Sequence, residues 1–206
     1  TLNLDKDREE VIAYGTYNLL QTLWTTLAII IFGILFGTLY SILIIAFTVA
    51  SMRKYSGGAH ATSPNRCTLI IVLVFGVLSL LIKYTIPYVN TALVVLWSII
   101  SFVFTYVILF KLCPVDSPNK PIKKPETRLK LRKASFKILF LFYFALVILW
   151  IIYFKMHVEF LLIVIASISV GMFWQSLTMT SLGHLIINKM DTSLQKIKLM
   201  KGGNEE

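Results

Sequence analysis

His60 and Cys67 stand seven positions apart in the polar stretch Arg53-Lys-Tyr-Ser-Gly-Gly-Ala-His60-Ala-Thr-Ser-Pro-Asn-Arg-Cys67. An imidazole and a thiol are the parts of a nucleophile–base pair. On one continuous helix they would share a face but lie two turns apart, about 10 Å, too far for direct proton transfer. The Pro64-Asn65 turn signal supplies the bend that would bring His60 back toward Cys67. Cys67 opens an apolar run, so it would sit at a helix N-terminus, where the macrodipole favours thiolate, and Arg66 pushes the same way. Ser56, Gly57 and Gly58 form a backbone-permissive stretch that can approach a ligand closely. The plainer reading is an inert packing cysteine beside a solvated histidine, and spacing alone leaves both open. Two ligands are too few for a closed zinc site, and His157 and His184 belong to other span ends, so no metal and no cofactor is expected. Cys113 abuts Pro114 with no histidine nearby and reads as a bystander.

These residues are set among apolar runs. The chain has 206 residues, 57% of them hydrophobic, and a mean hydropathy of +0.77, too apolar for an ordinary soluble domain. The stretches Trp24–Ala50, Cys67–Ile82, Tyr88–Phe110, Ser135–Phe154 and Val158–Thr180 approach or exceed the ~20 residues that a helix needs to cross a bilayer. The expected fold class is therefore all-α, a polytopic membrane helix bundle with an N-terminal amphipathic helix and about five to six membrane segments. It is read as one domain over 1–206, with an interfacial amphipathic segment at 1–23, a chemical loop at 51–67 and a basic loop at 111–134.

The net charge of +10 is unevenly spread. Arg53, Lys54 and Arg66 fall in the first polar loop, and eight more basic residues, Lys111 to Lys133, in the second. Lys189, Lys196, Lys198 and Lys201 fall in the C-terminal tail, whereas the two other connections hold only Lys83 and Lys155. The positive-inside rule then places both loops and the tail in the cytoplasm of a multi-pass cell-membrane protein. Basic loops between spans account for the charge, and no basic patch interleaved with aromatics is present, so nucleic acid is not an expected partner. Two arrangements of the N-terminal part remain open. Trp24–Ala50 could be one tilted span with the N-terminus outside, or Gly33 and Gly37 could break it into a hairpin with the N-terminus inside.

The run from Arg53 to His60 with Cys67 behind it resembles the signature of the accessory gene regulator B (AgrB) family. The segment Pro114-Val-Asp-Ser-Pro-Asn-Lys-Pro121, between a hydrophobic span and a lysine-rich stretch, is similar to that family as well. The resemblance covers essentially the whole chain. It implies a membrane cysteine endopeptidase of quorum sensing, which removes the C-terminal tail of a small precursor peptide and helps close the rest into a thiolactone or lactone autoinducer. It further implies Cys67 as nucleophile and His60 as general base. Backbone amides near Gly57, Gly58 or Cys67 are then candidate oxyanion donors, and Asp116, Ser63 and Asn65 candidate orienters of His60. Substrate contacts are expected at Gly57, Gly58 and Arg53. Lys120, Lys123 and Lys124 either dock an acidic precursor tail or serve topology alone. The expected partners are the AgrD-like precursor, the lipid bilayer and, as an open option, a second copy in a homodimer. The rival readings are a small transporter subunit or a scaffold. Transport sites leave charged groups inside the spans, and the apolar interiors speak against one.

Overall fold

The computed structural model describes residues 6–116, 122 and 124–202. Lys120 and Lys123, two of the expected substrate contacts, lie outside the described residues. Seven α-helices are found among these: α1 (Lys6–Phe36), α2 (Leu39–Ser56), α3 (Pro64–Thr85), α4 (Thr91–Leu112), α5 (Pro125–Met156), α6 (Glu159–Leu177) and α7 (Ser181–Gly202), with a 3₁₀ turn at Ile86–Tyr88.

The hairpin arrangement of the first apolar run is the one adopted. Gly37 has φ of 62°. The Thr38 amide donates to the Gly33 carbonyl at 2.8 Å and the Gly37 amide to the Ile34 carbonyl at 3.2 Å. This is a Schellman ending, which needs a left-handed residue that glycine supplies without strain. At Gly33 a β-carbon would come within 2.8 Å of the Leu39 backbone, so its absence lets α2 turn back against α1. Helix α1 is continuous from Lys6 to Phe36, and the part of it long and apolar enough to cross a bilayer begins at Gly15.

Five helices, α1 and α3 to α6, are long and apolar enough to cross a bilayer. The 18-residue α2 runs between the same two ends, enclosed by α1, α3, α5 and α6. This is a multi-pass membrane protein. Helices α2 and α6 form its centre. Ile42, Ile45, Ile165 and Met172 are fully buried between them, and Ser41 and Ser167 share a hydrogen bond of 2.9 Å. Gly171 lies so close to Thr48 that a β-carbon there would meet it at 2.9 Å. Small residues at such a crossing allow the backbone approach that packs helices in lipid. One end of the bundle carries the Gly37 turn, Lys83, Asn90 and His157. The other carries the 57–63 loop, the 113–116 segment, the end of α6 and α7. The basic residues Arg53, Lys54, Arg66, Lys111, Lys124, Arg128, Lys130, Arg132 and Lys133 belong to that second end.

Candidate functional site

Helix α2 continues to Ser56, so the polar loop is only residues 57–63, and α3 begins at Pro64 with Ser63 as its N-cap. Proline at the first helical position removes a donor that the helix could not use. His60 therefore sits in the loop and Cys67 in the first turn of α3. Pro64 and Asn65 are not a turn but the first residues of α3; the chain bends just before them, at Thr62–Ser63, and both side chains line one cavity of about 20 Å³. Its other walls are Arg53, Ala59, Ala61, Ile70, Ile71, Val74, Phe75, Trp174 and Ile187. A larger groove of about 680 Å³ lies along the outer face of α5, from Leu129 to Phe144, and carries no nucleophile. Chemistry rather than volume selects the smaller space.

The loop and the start of α3 are held by α6 together with the 113–116 segment, by α7 and by α1. From α6, the buried Gln175 side chain donates to Ser56 Oγ at 3.0 Å and to the Gly57 carbonyl at 2.7 Å. The Ala59 amide donates to the Thr178 carbonyl at 3.0 Å, and the Val115 amide to the Ser56 carbonyl at 2.9 Å. Gly57 and Gly58 have φ of 75° and 134°. A β-carbon on Gly57 would run into the Val115 carbonyl, and one on Gly58 would meet Thr178 Oγ1 at 2.8 Å. The freedom of these glycines is spent on packing the loop between α6 and the 113–116 segment.

The second attachment comes from α7. Asp191 accepts the Thr62 amide at 3.0 Å, Thr62 Oγ1 at 2.6 Å and Arg66 Nε at 2.5 Å. The Asp191 carboxylate is only 8% exposed. Arg66 beside it, assisted by Thr62, holds its pKa down to about 2. This clasp joins the residue next to Cys67 with one two positions after His60. The third attachment comes from α1, where Gln21 Nε2 donates to the Pro64 carbonyl at 3.1 Å and to Thr68 Oγ1 at 2.6 Å.

His60 is exposed at the rim of the cavity. Desolvation by its apolar surroundings, then the positive charges of Arg53 and His184, push its pKa down to about 4. The direction is what matters for the chemistry: at neutral pH the imidazole is uncharged and able to accept a proton. His184 is not at a distant span end, as its place in the sequence suggested; the turn at Met179–Thr180 folds α7 back and brings it near His60. Among the described residues none of the three candidate orienters bonds to His60. Asp116 is engaged instead by Arg128 at 2.7 Å, and Ser63 caps α3 without a side-chain bond. Two of the candidate oxyanion amides are also occupied. Gly57 donates to the Arg53 carbonyl at 3.0 Å and Cys67 to the Ser63 carbonyl at 2.9 Å. Cys113 is buried, its thiol bonded to Ser135 Oγ at 3.2 Å and its pKa raised by that burial. Among the described residues no three histidine, cysteine or acidic side chains converge as metal ligands would.

Gln175, Thr178, Thr62 and Asp191 were not singled out from sequence. The signal for Asp191 was a lone acid between His184 and Lys201, among Lys189, Lys196 and Lys198, and for Gln175 an amide near the end of an apolar run.

Fold and site together define an all-helical multi-pass membrane protein with one cysteine- and histidine-lined cavity at its basic end. The chain belongs to the accessory gene regulator B (AgrB) family, whose match covers residues 1–179, and so to the accessory gene regulator system of quorum sensing. An AgrB-like protein of Clostridium perfringens strain SM101 is 38% identical over 197 residues, covering 95% of this chain and 92% of its own length. AgrB-like protein 2 of Clostridium perfringens strain 13 is 39% identical over the same share of each chain. A third relative, from Halalkalibacterium halodurans, is 32% identical over 90 residues, 44% of this chain. No solved structure matches the chain.

Proposed function

We propose that this protein is a membrane cysteine endopeptidase that removes the C-terminal tail of a small precursor peptide and promotes its cyclisation to a thiolactone or lactone autoinducer. The observation that supports this reading is the shared cavity of Cys67 and His60, at the end of the bundle where the loops are basic. That end faces the cytoplasm on this reading, since the basic loops mark the inner side.

The neutral His60 takes the Cys67 proton as sulfur attacks the scissile carbonyl. Because its basicity is low, the pair is suited to proton transfer during attack rather than to a standing thiolate–imidazolium pair. Collapse of the tetrahedral species expels the tail amine, which receives the proton back from His60, and leaves a thioester on Cys67. A cysteine or serine of the same peptide then attacks that thioester and closes the ring. Exchange of one thioester for another is nearly balanced while hydrolysis is downhill, so the site must hold the internal nucleophile close and exclude water. The apolar side chains Ile70, Ile71, Val74, Phe75 and Trp174 that wall the cavity beside Cys67 favour exclusion of water. Arg53 is the substrate contact within that cavity. Lys124, at the same end, is a docking point for an acidic tail, with Lys120 and Lys123 near it in the sequence.

The test is cleavage of the cognate precursor by the purified protein in lipid. Wild type should cut once and form a hydroxylamine-sensitive adduct on Cys67, and Cys67→Ala should do neither. Undiminished cleavage by Cys67→Ala at matched protein level would discard the peptidase reading in favour of a transporter or scaffold.

A further inference from the structure

Arg53, in the last turn of α2, is in an unusual state. Its Nε and Nη2 atoms are both buried and have no hydrogen-bond partner among the described residues. A buried donor left unmade costs about 1–3 kcal/mol, and more on a charged group. Nε–H and the Nη2–H beside it point the same way, along the edge by which a guanidinium grips oxygen anions. Arg53 lines the same cavity as Cys67 and His60. The cavity, at about 20 Å³, admits one oxygen-sized atom, since a single water needs roughly 10–15 Å³ on that measure.

Of the candidate amides, Gly57 is committed to Arg53 and Cys67 to Ser63, as is the neighbouring Ala59 to Thr178; Gly58 makes no such bond but does not line the cavity. Resting on the peptidase reading above, we propose that the Nε/Nη2 edge of Arg53 is the oxyanion hole of this enzyme, receiving the oxygen of the scissile carbonyl. As Cys67 Sγ bonds to the carbonyl carbon, the carbonyl π pair moves onto oxygen and the thiol proton onto His60. The full negative charge on oxygen meets two donors of a permanent cation in a small, mostly apolar-walled space. When the tetrahedral species collapses, that pair re-forms the carbonyl and the C–N bond breaks, its electrons taking the proton from His60. Ring closure repeats the sequence with the thioester carbonyl in the same place, so one arginine serves both halves of the reaction.

The experiment compares Arg53→Met and Arg53→Lys with wild type in lipid nanodiscs. Substrate is the cognate precursor. The transition-state probe is a synthetic peptide ending at the cleavage site in an aldehyde, which forms a thiohemiacetal with Cys67. Arg53→Met should lose about 10²–10³-fold in kcat, the loss typical of an oxyanion donor. Precursor affinity, measured in a Cys67→Ala background, should change by no more than about threefold, because only the transition state is affected. Aldehyde affinity should fall in parallel with kcat, while alkylation of Cys67 by iodoacetamide continues. Arg53→Lys should recover part of the rate through its charge without the fork. Wild-type kcat in Arg53→Met would overturn the proposal, as would a loss confined to precursor affinity, the mark of a docked carboxylate. Loss of Cys67 alkylation alongside activity would overturn it too, by making Arg53 a support of the loop. Cys67→Ala cleaves nothing if the peptidase reading holds, so that variant separates failure of Arg53 from failure of the reading.

Discussion

At the residue scale the site rests on two side chains whose states differ. His60 is held uncharged down to about pH 4 by desolvation and by Arg53 and His184. A depressed histidine pKa keeps the base form available above the folded value and loses it only as pH falls through that value. The acid limb of kcat/KM for precursor cleavage should therefore lie well below pH 6.5, the ordinary histidine value. Removing Asp191 should leave that limb in place, whereas His184→Gln, which takes away one repelling charge, should shift it upward. A limb at or above the ordinary value in wild type would show that some other group takes the proton. If Cys67 and His60 act as one unit, Cys67→Ala and His60→Ala should each nearly abolish cleavage, and the double variant should cost little more. Cys113→Ala should process normally, since its thiol is buried against Ser135. Loss of cleavage in that variant, at normal membrane level, would question the choice of nucleophile.

At the scale of elements the loop 57–63 is shaped by contacts that no local pattern announces. The glycines and the helix start near Cys67 were legible in sequence because they obey local backbone rules, whereas the turn expected at Pro64-Asn65 falls at Thr62–Ser63, with Pro64 opening α3. Gln175 and Asp191 were not, because each acts over more than 110 residues of sequence, Gln175 on Gly57 and Asp191 on Thr62. The clasp is an ion pair with two further hydrogen bonds. Asp191→Asn keeps the shape but removes the charge, and should cost about 1–3 kcal/mol of local stability. Faster amide hydrogen exchange across 57–66 with unchanged exchange in α4 would report it, and cleavage should fall while Cys67 stays alkylatable. The carboxylate pKa is depressed to about 2, so the clasp is complete above the unfolded value near 3.8 and is lost only as pH falls toward 2. Physiological pH changes should therefore leave it shut. An Asp191→Asn protein with wild-type exchange in 57–66 would make the clasp energetically idle.

At the scale of the whole molecule, charge asymmetry was legible because it is a sum over loops, and the membrane class because it needs only composition. The course of the N-terminal run was not, since a 27-residue apolar stretch, Trp24–Ala50, satisfies both a tilted span and a hairpin. Gly37 decided it through a left-handed turn, which local pattern permits but does not compel. The consequence is topological. With α1 and α2 antiparallel, the start of α1 lies at the same end as His60, Cys67 and α7. The Gly37 turn lies with Lys83, whose ammonium donates to the Phe36 carbonyl at 2.8 Å. With α2 counted beside the five helices apolar enough to cross, the chain would pass six times, and the described basic residues of 53–66 and 111–133 lie at one end, in keeping with the charge rule. In a Cys67→Ala, Cys113→Ala background, single cysteines at Asn90 or Met156 should react with a membrane-impermeant maleimide in intact cells. Cysteines at Ala13, Asn65 or Thr192 should react only after permeabilisation. The Ala13 position is decisive. A single tilted span would expose it outside while leaving Asn65 within, whereas the hairpin keeps both within. Labelling of Ala13→Cys in intact cells, with Asn65→Cys protected, would remove α2 as a separate pass.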